Sequence, residues 1–319
     1  MSSLLAHAFS SFTGKGLEYS RKAAGLLGFF LRAKLLGQRM PLIASFKLTY
    51  RCNLACAACP FHRLSGMPGS HMSREQALRS LSALRSMGCR IVVFEGGEPL
   101  LWRDGAYGFS DLVQEARKRF VCVGATTNGT LPLSVPTDVL WVSVDGLKDT
   151  HDSLRSGSFD ALMSNIRRST HPKLFVHYTL NARNWRDFPA AADMLCSLKQ
   201  VRGITVQLFY PYNQGEEDLR LSPDERSDAL RIVLTLKQKG YPILNSGWGL
   251  ASMVRNTWRC HDWLLANVEP DAGITVGCYV KNRGKIVCCE CGFTPVAEAS
   301  GALSLRPGSL GAGWKIFLS

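Results

Sequence analysis

Three cysteines of the segment 49–59 have the spacing Cys-x3-Cys-x2-Cys: Cys52, Cys56 and Cys59. A short loop of this kind can place three thiolates around three irons of one cubane [4Fe–4S] cluster. The fourth iron then stays open to a ligand that the protein does not supply. A structural zinc loop is the alternative, but zinc normally takes four protein ligands, and only His62 lies at a suitable spacing.

A glycine-rich turn follows the next predicted strand, about forty residues after the cysteine loop. Its residues Gly96, Gly97 and Glu98 precede a proline, and glycines allow backbone groups to approach a ligand closely. Taken alone, such a tetrapeptide indicates only a turn. Its place at the C-terminal end of a strand favours a binding site shared with the cysteine loop.

Short polar side chains end two further strands, and a basic residue follows them. They could bind the hydroxyl and carboxylate groups of a ligand, and an arginine can pair with a carboxylate. The competing interpretation is ordinary Asn-Gly and Asp-Gly turn chemistry with a solvated arginine. The candidate binding residues are Thr127, Asn128, Ser143, Asp145 and Arg155, with His177 and Asn181 as weaker candidates on the following strand.

The elements that must position these residues alternate between short apolar, β-rich runs and helical patterns. The predicted strands are 43–49, 90–95, 120–127, 139–144, 174–181 and 203–210, and the predicted helices are 73–87, 110–119, 158–169, 184–199 and 222–239. This alternation predicts a parallel sheet with helices outside it. Six units are too few for a closed eight-fold barrel, so an α/β fold with a partial (β/α)6 TIM-type barrel over residues 41–245 is expected.

After residue 246 the pattern changes, and five cysteines lie within 260–291. Cys260 and Cys278 are separated, whereas Cys288, Cys289 and Cys291 are nearly consecutive. This grouping predicts a small metal-stapled C-terminal domain over residues 246–319. A zinc site formed by four of these thiolates fits the spacing almost as well as an iron–sulfur site does.

Residues 1–40 form a basic region, with Lys15, Arg21, Lys22, Arg32, Lys34 and Arg39 against the single acid Glu18. Apolar residues recur between these charges at helical spacing, which predicts a basic amphipathic helix. The helix is too charged and too short to cross a bilayer. It either lies on an anionic membrane surface or packs against the barrel as an ordinary N-terminal helix.

Composition sets wider limits on the protein. A chain of 319 residues with 46% hydrophobic and 20% charged residues is an ordinary folded protein, longer than a single short module. The net charge of +13 suits an anionic partner, but no basic patch is interleaved with aromatic residues as in nucleic-acid-binding proteins. Eight of eleven cysteines fall in two groups, which favours metal binding in the reducing cytoplasm over disulfides. The single cysteines Cys89, Cys122 and Cys196 are expected to be buried.

The cysteine loop, the Gly-Gly-Glu-Pro turn and the order of the polar strand ends resemble those of the radical SAM superfamily. The resemblance implies that the open iron binds the amino and carboxylate groups of S-adenosylmethionine. It also implies that Gly96, Gly97 and Glu98 serve its methionine moiety, and that Arg155 pairs with its carboxylate. The remaining polar residues would face ribose and methionine. One departure is Ala58, where the family commonly has an aromatic residue against adenine.

The segment Cys260-x12-Gly273-x4-Cys278 is similar to the start of the SPASM and twitch domains of that superfamily. The similarity implies one auxiliary iron–sulfur cluster, bound by Cys260, Cys278 and two of the later cysteines, for which Cys288 and Cys291 are the predicted pair. The longer run of cysteines that a second auxiliary cluster requires is missing.

These resemblances imply an enzyme that generates a 5′-deoxyadenosyl radical and modifies an unactivated carbon, with an external one-electron donor such as flavodoxin or ferredoxin. A weaker likeness to the adenosylhopane-forming radical SAM enzymes lies in the basic N-terminal helix and in residues 145–152. It favours a lipid or isoprenoid substrate and a location in the cytoplasm, peripheral on the inner membrane face. The alternatives are a peptide or protein maturase and a non-catalytic iron–sulfur or zinc scaffold.

Overall fold

The computed structural model describes residues 2–283 and 287–319, and the side chains of all of these except 2–18, 282, 283 and 289. Lys15, Glu18 and Cys289 therefore lie outside the described side chains. The α-helices are α1 (Ser2–Leu35), α2 (Arg74–Ser86), α3 (Phe109–Arg117), α4 (Lys148–Leu154), α5 (Phe159–Arg168), α6 (Phe188–Cys196), α7 (Pro223–Gln238), α8 (Gly247–Val254), α9 (Thr294–Leu303) and α10 (Pro307–Phe317). The strands are β1 (Ile43–Thr49), β2 (Ile91–Gly96), β3 (Arg103–Asp104), β4 (Tyr107–Gly108), β5 (Cys122–Thr127), β6 (Val139–Ser143), β7 (Leu174–Leu180), β8 (Val201–Leu208), β9 (Leu265–Val268) and β10 (Ile274–Val276).

The central sheet has the strand order β10-β9-β1-β2-β5-β6-β7-β8. All neighbours pair in parallel except β10, which is antiparallel to β9. Because the strands are covered by helices, they read as apolar runs, and β6 is buried along its whole length. The predicted partial barrel is confirmed, and each of the six predicted strands is present within about two residues of its expected bounds.

Local sequence accounts for where the outer helices begin. Ser73 and Ser222 each accept a hydrogen bond from the backbone N–H three residues later, while Gln76 and Glu225 accept from the capping residues in return. These capping boxes satisfy backbone donors that have no partner within the helix. They therefore set the N-termini of α2 and α7 before any tertiary contact is considered.

The structure differs from the predicted domain boundary at residue 246. β9 pairs in parallel with β1, with Leu265 opposite Ile43, so this segment extends the barrel sheet to eight strands. Residues 294–317, whose sequence indicated little, form α9 and α10. Another difference concerns Cys196, which is exposed at the end of α6. Cys89 and Cys122 are fully buried, as expected.

Helices α1, α9 and α10 pack against the N-terminal end of the barrel. The buried Phe29 of α1 and Leu303 of α9 join Trp141 and Phe175 of the strands in one hydrophobic cluster, against which Phe317 of α10 packs. The predicted N-terminal helix is thus present and contacts the barrel. Among the described residues, no helix combines the length and apolar character needed to cross a membrane.

Candidate functional site

The cysteine loop follows β1 at the C-terminal end of the barrel, where parallel-barrel sites are built. Its three thiols are free and partly buried, and all three line one cavity. Two backbone contacts hold the loop against the end of α4: Ala57 N–H donates to Leu154 O at 2.9 Å, and Ala55 N–H donates to Ser156 Oγ at 3.0 Å. The loop is therefore positioned from outside as well as by its own sequence.

The electrostatics of the loop suit thiolates that bind an electropositive group. Burial raises the pKa of Cys59 to about 12, with a further increase from Cys56. Burial also raises the pKa values of Cys52 and Cys56, and the nearby Arg155 guanidinium opposes this increase at Cys56. Because buried thiols this close together resist ionisation, a cationic metal centre is the partner that would stabilise three thiolates here.

The donor set of the loop fits a [4Fe–4S] cluster. Three free thiols on one short segment line the same cavity, so they can bind three irons of a cubane and leave the fourth iron facing the cavity. A structural zinc ion would normally take a fourth protein ligand.

Gly96 and Gly97 allow β2 to approach the cysteine loop. Gly97 N–H donates to Thr49 O at 2.7 Å, and a Cβ atom added at Gly97 would lie 2.2 Å from Arg51 O. Gly96 has φ +126°, and an added Cβ there would lie 2.5 Å from Thr49 O. Only glycine permits these contacts, so the turn supports the loop in addition to lining the cavity.

Glu98 is fully buried and does not itself line the cavity. Its carboxylate accepts hydrogen bonds from Thr127 Oγ1 and the Asn128 backbone N–H, each at 2.8 Å, and from Leu100 N–H at 3.1 Å. Burial raises its pKa to about 7 despite these donors. Glu98 therefore joins the ends of β2 and β5 and acts on the site through the residues it holds.

Asn128 connects the end of β5 to the cysteine loop. Its Nδ2 donates to Asn53 Oδ1 at 2.8 Å and lies 3.8 Å from Cys52 Sγ. Thr127, Asn128 and Ser143, three of the predicted binding residues, are largely buried and line the cavity.

Arg155 and Asp145 form a buried ion pair beside the cysteine loop, with Nε and Oδ2 2.5 Å apart. Burial opposes the charge of the guanidinium, but Asp145 and the thiols of Cys56 and Cys59 outweigh it and raise the pKa of Arg155. The residue is thus not the solvated surface arginine of the competing interpretation. Its observed partner is Asp145, and both side chains line the cavity where a carboxylate ligand would pair with it.

The cavity of about 640 Å³ runs from the cysteine loop into the barrel. Half-way down, it is lined by a polar belt of side chains from five strands and the chain after α7: Ser45, Glu95, His177, Thr205, Asn245 and Asn267. Burial lowers the pKa of His177 to about 4, and its Nδ1 lies 3.2 Å from Thr205 Oγ1. Of this belt the sequence indicated only His177; the alternation of inward residues along strands such as β1 could have found the others.

The second cysteine group begins beside β9 and β10, because Cys260 precedes β9 by five residues and Cys278 follows β10 by two. Burial raises the pKa of Cys260 to about 12, with contributions from Cys278 and Cys291, and that of Cys291 to about 11, with contributions from Cys278 and Cys288. Because thiols influence each other's pKa only at short range, these interactions indicate that the four predicted thiols lie near one another. Cys278 and Cys291 are buried, whereas Cys260 and Cys288 are exposed.

Aromatic rings connect the two cysteine groups. Tyr50 stacks on Phe61 with ring centroids 5.1 Å apart, Phe61 contacts Tyr212 at 5.7 Å, and Tyr212 contacts Tyr279 at 6.4 Å. Phe61 follows Cys59 by two residues, and Tyr279 follows Cys278 directly. The two cysteine groups are thus packed as parts of one structure.

Comparison with known proteins agrees with this arrangement. The family model of the Radical SAM superfamily matches residues 46–195. Fe-coproporphyrin III synthase of Methanosarcina barkeri is 28% identical over 71% of this chain and 59% of its own length. "Probable GTP 3′,8-cyclase" of Methanopyrus kandleri is 34% identical over 63% of this chain and 69% of its own length. The chain belongs to the radical SAM superfamily.

Solved structures support the fold. Streptococcus suis SuiB bound to the precursor peptide SuiA has a TM-score of 0.62 at 12% identity, covering 83% of this chain and 66% of SuiB. The predicted enzyme class, with the [4Fe–4S] cluster and S-adenosylmethionine that its family uses, is confirmed by the family model and the curated relatives. The chain spans only 59% of Fe-coproporphyrin III synthase, so the substrate cannot be transferred from that relative.

Proposed function

We propose that this chain cleaves S-adenosylmethionine reductively at a [4Fe–4S] cluster held by Cys52, Cys56 and Cys59. One observation carries the proposal: these thiols and the Arg155–Asp145 pair line the same end of one deep cavity. When bound and reduced, the cluster supplies one electron that breaks the S–C5′ bond, leaving methionine and a 5′-deoxyadenosyl radical that attacks an unreactive carbon.

The chain's own residues would bind and orient the cofactor. Arg155, held in place by its ion pair with Asp145, can pair with the methionine carboxylate. The Gly96–Gly97 backbone leaves room for the methionine moiety, and the Ser143 hydroxyl and the Asn128 amide can hydrogen-bond ribose and amino groups. Glu98 would act as a positioning residue through its bonds to Thr127 and Asn128.

The second cysteine group is proposed to hold one auxiliary iron–sulfur cluster through Cys260, Cys278, Cys288 and Cys291. Support comes from the mutual electrostatic influence of these thiols and the burial of two of them. Zinc remains the alternative occupant, since four thiolates suit both. Iron and zinc analysis of the Cys52/Cys56/Cys59 triple-alanine variant, which retains only the second group, distinguishes them.

For the substrate, we propose a small lipid or isoprenoid molecule, because apolar side chains line the cavity below the polar belt. A peptide is the second candidate, since the structurally similar SuiB binds the precursor peptide SuiA. An external donor such as flavodoxin or ferredoxin would reduce the cluster. The protein would work in the cytoplasm, where the thiols stay reduced, and residues 1–40 would contact the inner face of the membrane.

The test uses anaerobically reconstituted protein, dithionite and S-adenosylmethionine. We expect 5′-deoxyadenosine and methionine to form, and the electron paramagnetic resonance signal of the reduced cluster to change when S-adenosylmethionine is added. Cys196→Ala removes an exposed thiol far from the loop, so it is the matched control for the loop variant Cys56→Ala and should keep both properties. Protein that binds iron yet never releases 5′-deoxyadenosine would be the non-catalytic scaffold. Stimulation of turnover by a peptide fraction and not by a lipid extract would favour the maturase.

A further inference from the structure

The cavity does not end at the polar belt but continues to the N-terminal end of the barrel. There its walls are mostly apolar side chains from α1, β6, β9 and α10: Leu26, Phe30, Trp141, Leu265, Ile316 and Phe317. Glu298 of α9 and Ser309 of α10 also line the cavity. We call this part of the cavity the lower chamber. It lies on the opposite side of the polar belt from the cysteine loop, so its lining plays no part in binding the cofactor.

Between α1 and α10 the lower chamber reaches the surface. Leu27 of α1 and Leu310 and Trp314 of α10 line the cavity, yet they are 60%, 37% and 47% exposed. Side chains that face both a cavity and solvent mark its opening. The two helices meet there through Tyr19 and Trp314, whose ring centroids are 5.4 Å apart.

Apolar side chains also cover the surface around this opening. Leu27, Leu31 and Leu35 follow one another at four-residue spacing on α1 and are 60%, 47% and 75% exposed. Leu310 and Trp314 form the corresponding pair on α10. A stripe of this kind on each of two adjacent helices is typical of a surface that binds another apolar phase. We call these five residues the chamber mouth.

The exposed charges of residues 19–40 and 299–319 are all basic, and the nearby carboxylate of Asp138 is paired with Lys22 of α1. Residues 19–40 and 299–319 contain no Asp or Glu, but they include Arg21, Arg32, Lys34, Arg39 and Lys315, all exposed. Basic side chains beside exposed leucines and a tryptophan complement the anionic headgroups and acyl chains of a membrane surface.

From these observations we infer that the chamber mouth docks on an anionic lipid surface and admits a hydrocarbon chain of the substrate. The lower chamber holds this chain, while the reactive part of the substrate lies above the polar belt. The inference rests on the proposed function and specifies its substrate as amphipathic. The cofactor would occupy one end of the barrel and the hydrocarbon chain would come through the other.

Docking is tested by sedimentation with phosphatidylglycerol and with phosphatidylcholine vesicles. Wild-type protein should bind the anionic vesicles more tightly, and the difference should shrink at high salt. Leu31→Glu, which alters the chamber mouth outside the cavity lining, should weaken binding about tenfold or more, since a leucine is lost from the apolar phase. Met67→Glu, at an equally exposed apolar residue near the cysteine loop, should leave binding unchanged.

The lower chamber is tested by the fluorescence of cis-parinaric acid, a hydrocarbon probe. Gly313 lines the cavity and has open space where a Cβ atom would be, so Gly313→Phe fills the chamber without a backbone clash. It should weaken probe binding at least tenfold. Gly311 has the same open space two residues earlier on α10 and does not line the cavity, so Gly311→Phe is the matched control and should bind as wild type does.

Formation of 5′-deoxyadenosine without substrate separates the two proposals. If wild-type protein cleaves S-adenosylmethionine but binds neither vesicles nor probe, the inference is wrong and the proposed function stands. Equal probe binding by the Gly313→Phe and Gly311→Phe variants would also overturn it. Self-association through this face, seen as a dimer that Leu31→Glu dissociates in the absence of vesicle binding, would identify a second copy of the chain as the occupant instead.

Discussion

The two ends of the barrel are built from different chemistry around one cavity. At the C-terminal end, thiols, the Arg155–Asp145 pair and the Glu98 network lie on loops that are tied together by hydrogen bonds at defined distances. At the N-terminal end, helices α1, α9 and α10 meet the strands through apolar packing, to which polar contacts such as Lys22 with Asp138 and Lys173 with Ile316 O are added.

The two ends are therefore suited to different tasks: one can orient a cofactor, and the other can enclose part of a substrate. Hydrogen bonds and ion pairs are directional, so they can hold a cofactor's polar groups in one orientation. Apolar packing has no such direction, and it suits a wall that closes on a flexible chain. Changes at one end are therefore expected to alter cofactor chemistry, and changes at the other to alter closure and substrate binding.

The largest effect is expected at the cysteine loop. Cys56→Ala should remove the first cluster and abolish 5′-deoxyadenosine formation, because two thiolates cannot retain a site-differentiated cubane. Cys288→Ala should lower the iron content and leave cleavage measurable, because this thiol belongs to the second group. Iron analysis and product chromatography measure both properties. Equal loss in the two variants would mean that the cysteines are divided wrongly here.

A strong effect on closure is expected at Phe29, which is fully buried where α1 meets the barrel. Phe29→Ala should weaken the docking of α1 by about 3–5 kcal/mol. Hydrogen exchange in α1 should then accelerate at least 100-fold, because 1.4 kcal/mol corresponds to tenfold. Leu31→Ala, at an exposed position on the same helix, is the control. Cleavage of S-adenosylmethionine without substrate should persist, and its loss would contradict the independence of the two ends.

A pH effect should come from Glu98, whose pKa burial raises to about 7 from 4.5. The folded chain binds this proton more tightly than the unfolded chain does, so the stabilisation is complete at acid pH. It is lost as pH rises from about 4.5 to about 7, by about 3 kcal/mol. The free energy of unfolding, measured with urea at several pH values across this range, should fall less steeply with pH for Glu98→Gln than for wild type. His151 and His177 titrate in both proteins and cancel in the difference.

The smallest effect should come from the ion pair of Lys22 with Asp138, 3.0 Å apart, which joins α1 to the barrel by charge. Lys22→Met should cost less than about 1 kcal/mol, because the pair is partly solvated and Arg117 still approaches Asp138 at 3.4 Å. Thermal unfolding, with the exposed Lys118→Met as control, measures this cost. A loss as large as that of Phe29→Ala would mean that charge, and not apolar packing, holds α1.

Local signals in the sequence were sufficient for six of the eight strands of the central sheet, for five of the helices and for the cysteine loop. Strand β1 and helix α2 follow from residues next to one another, through apolar runs and a capping serine. The spacing of Cys52, Cys56 and Cys59 is likewise local, because one loop must wrap one cluster. Such features depend on neighbours in the chain, so they can be recognised without knowing where the rest of the chain lies.

Tertiary structure alone decided the roles that arise between distant residues. Arg155 pairs with Asp145, Glu98 binds Asn128, and β9 joins β1, although nothing in their local sequence specifies these partners. The helix α10 was missed because its glycines lower helix propensity, and packing against α9 and the barrel compensates. The sequence by itself thus determined the cysteine loop and six strands of the barrel, because these depend on neighbours in the chain. Long-range contacts decided that β9 and β10 extend the sheet and which surfaces enclose the cavity.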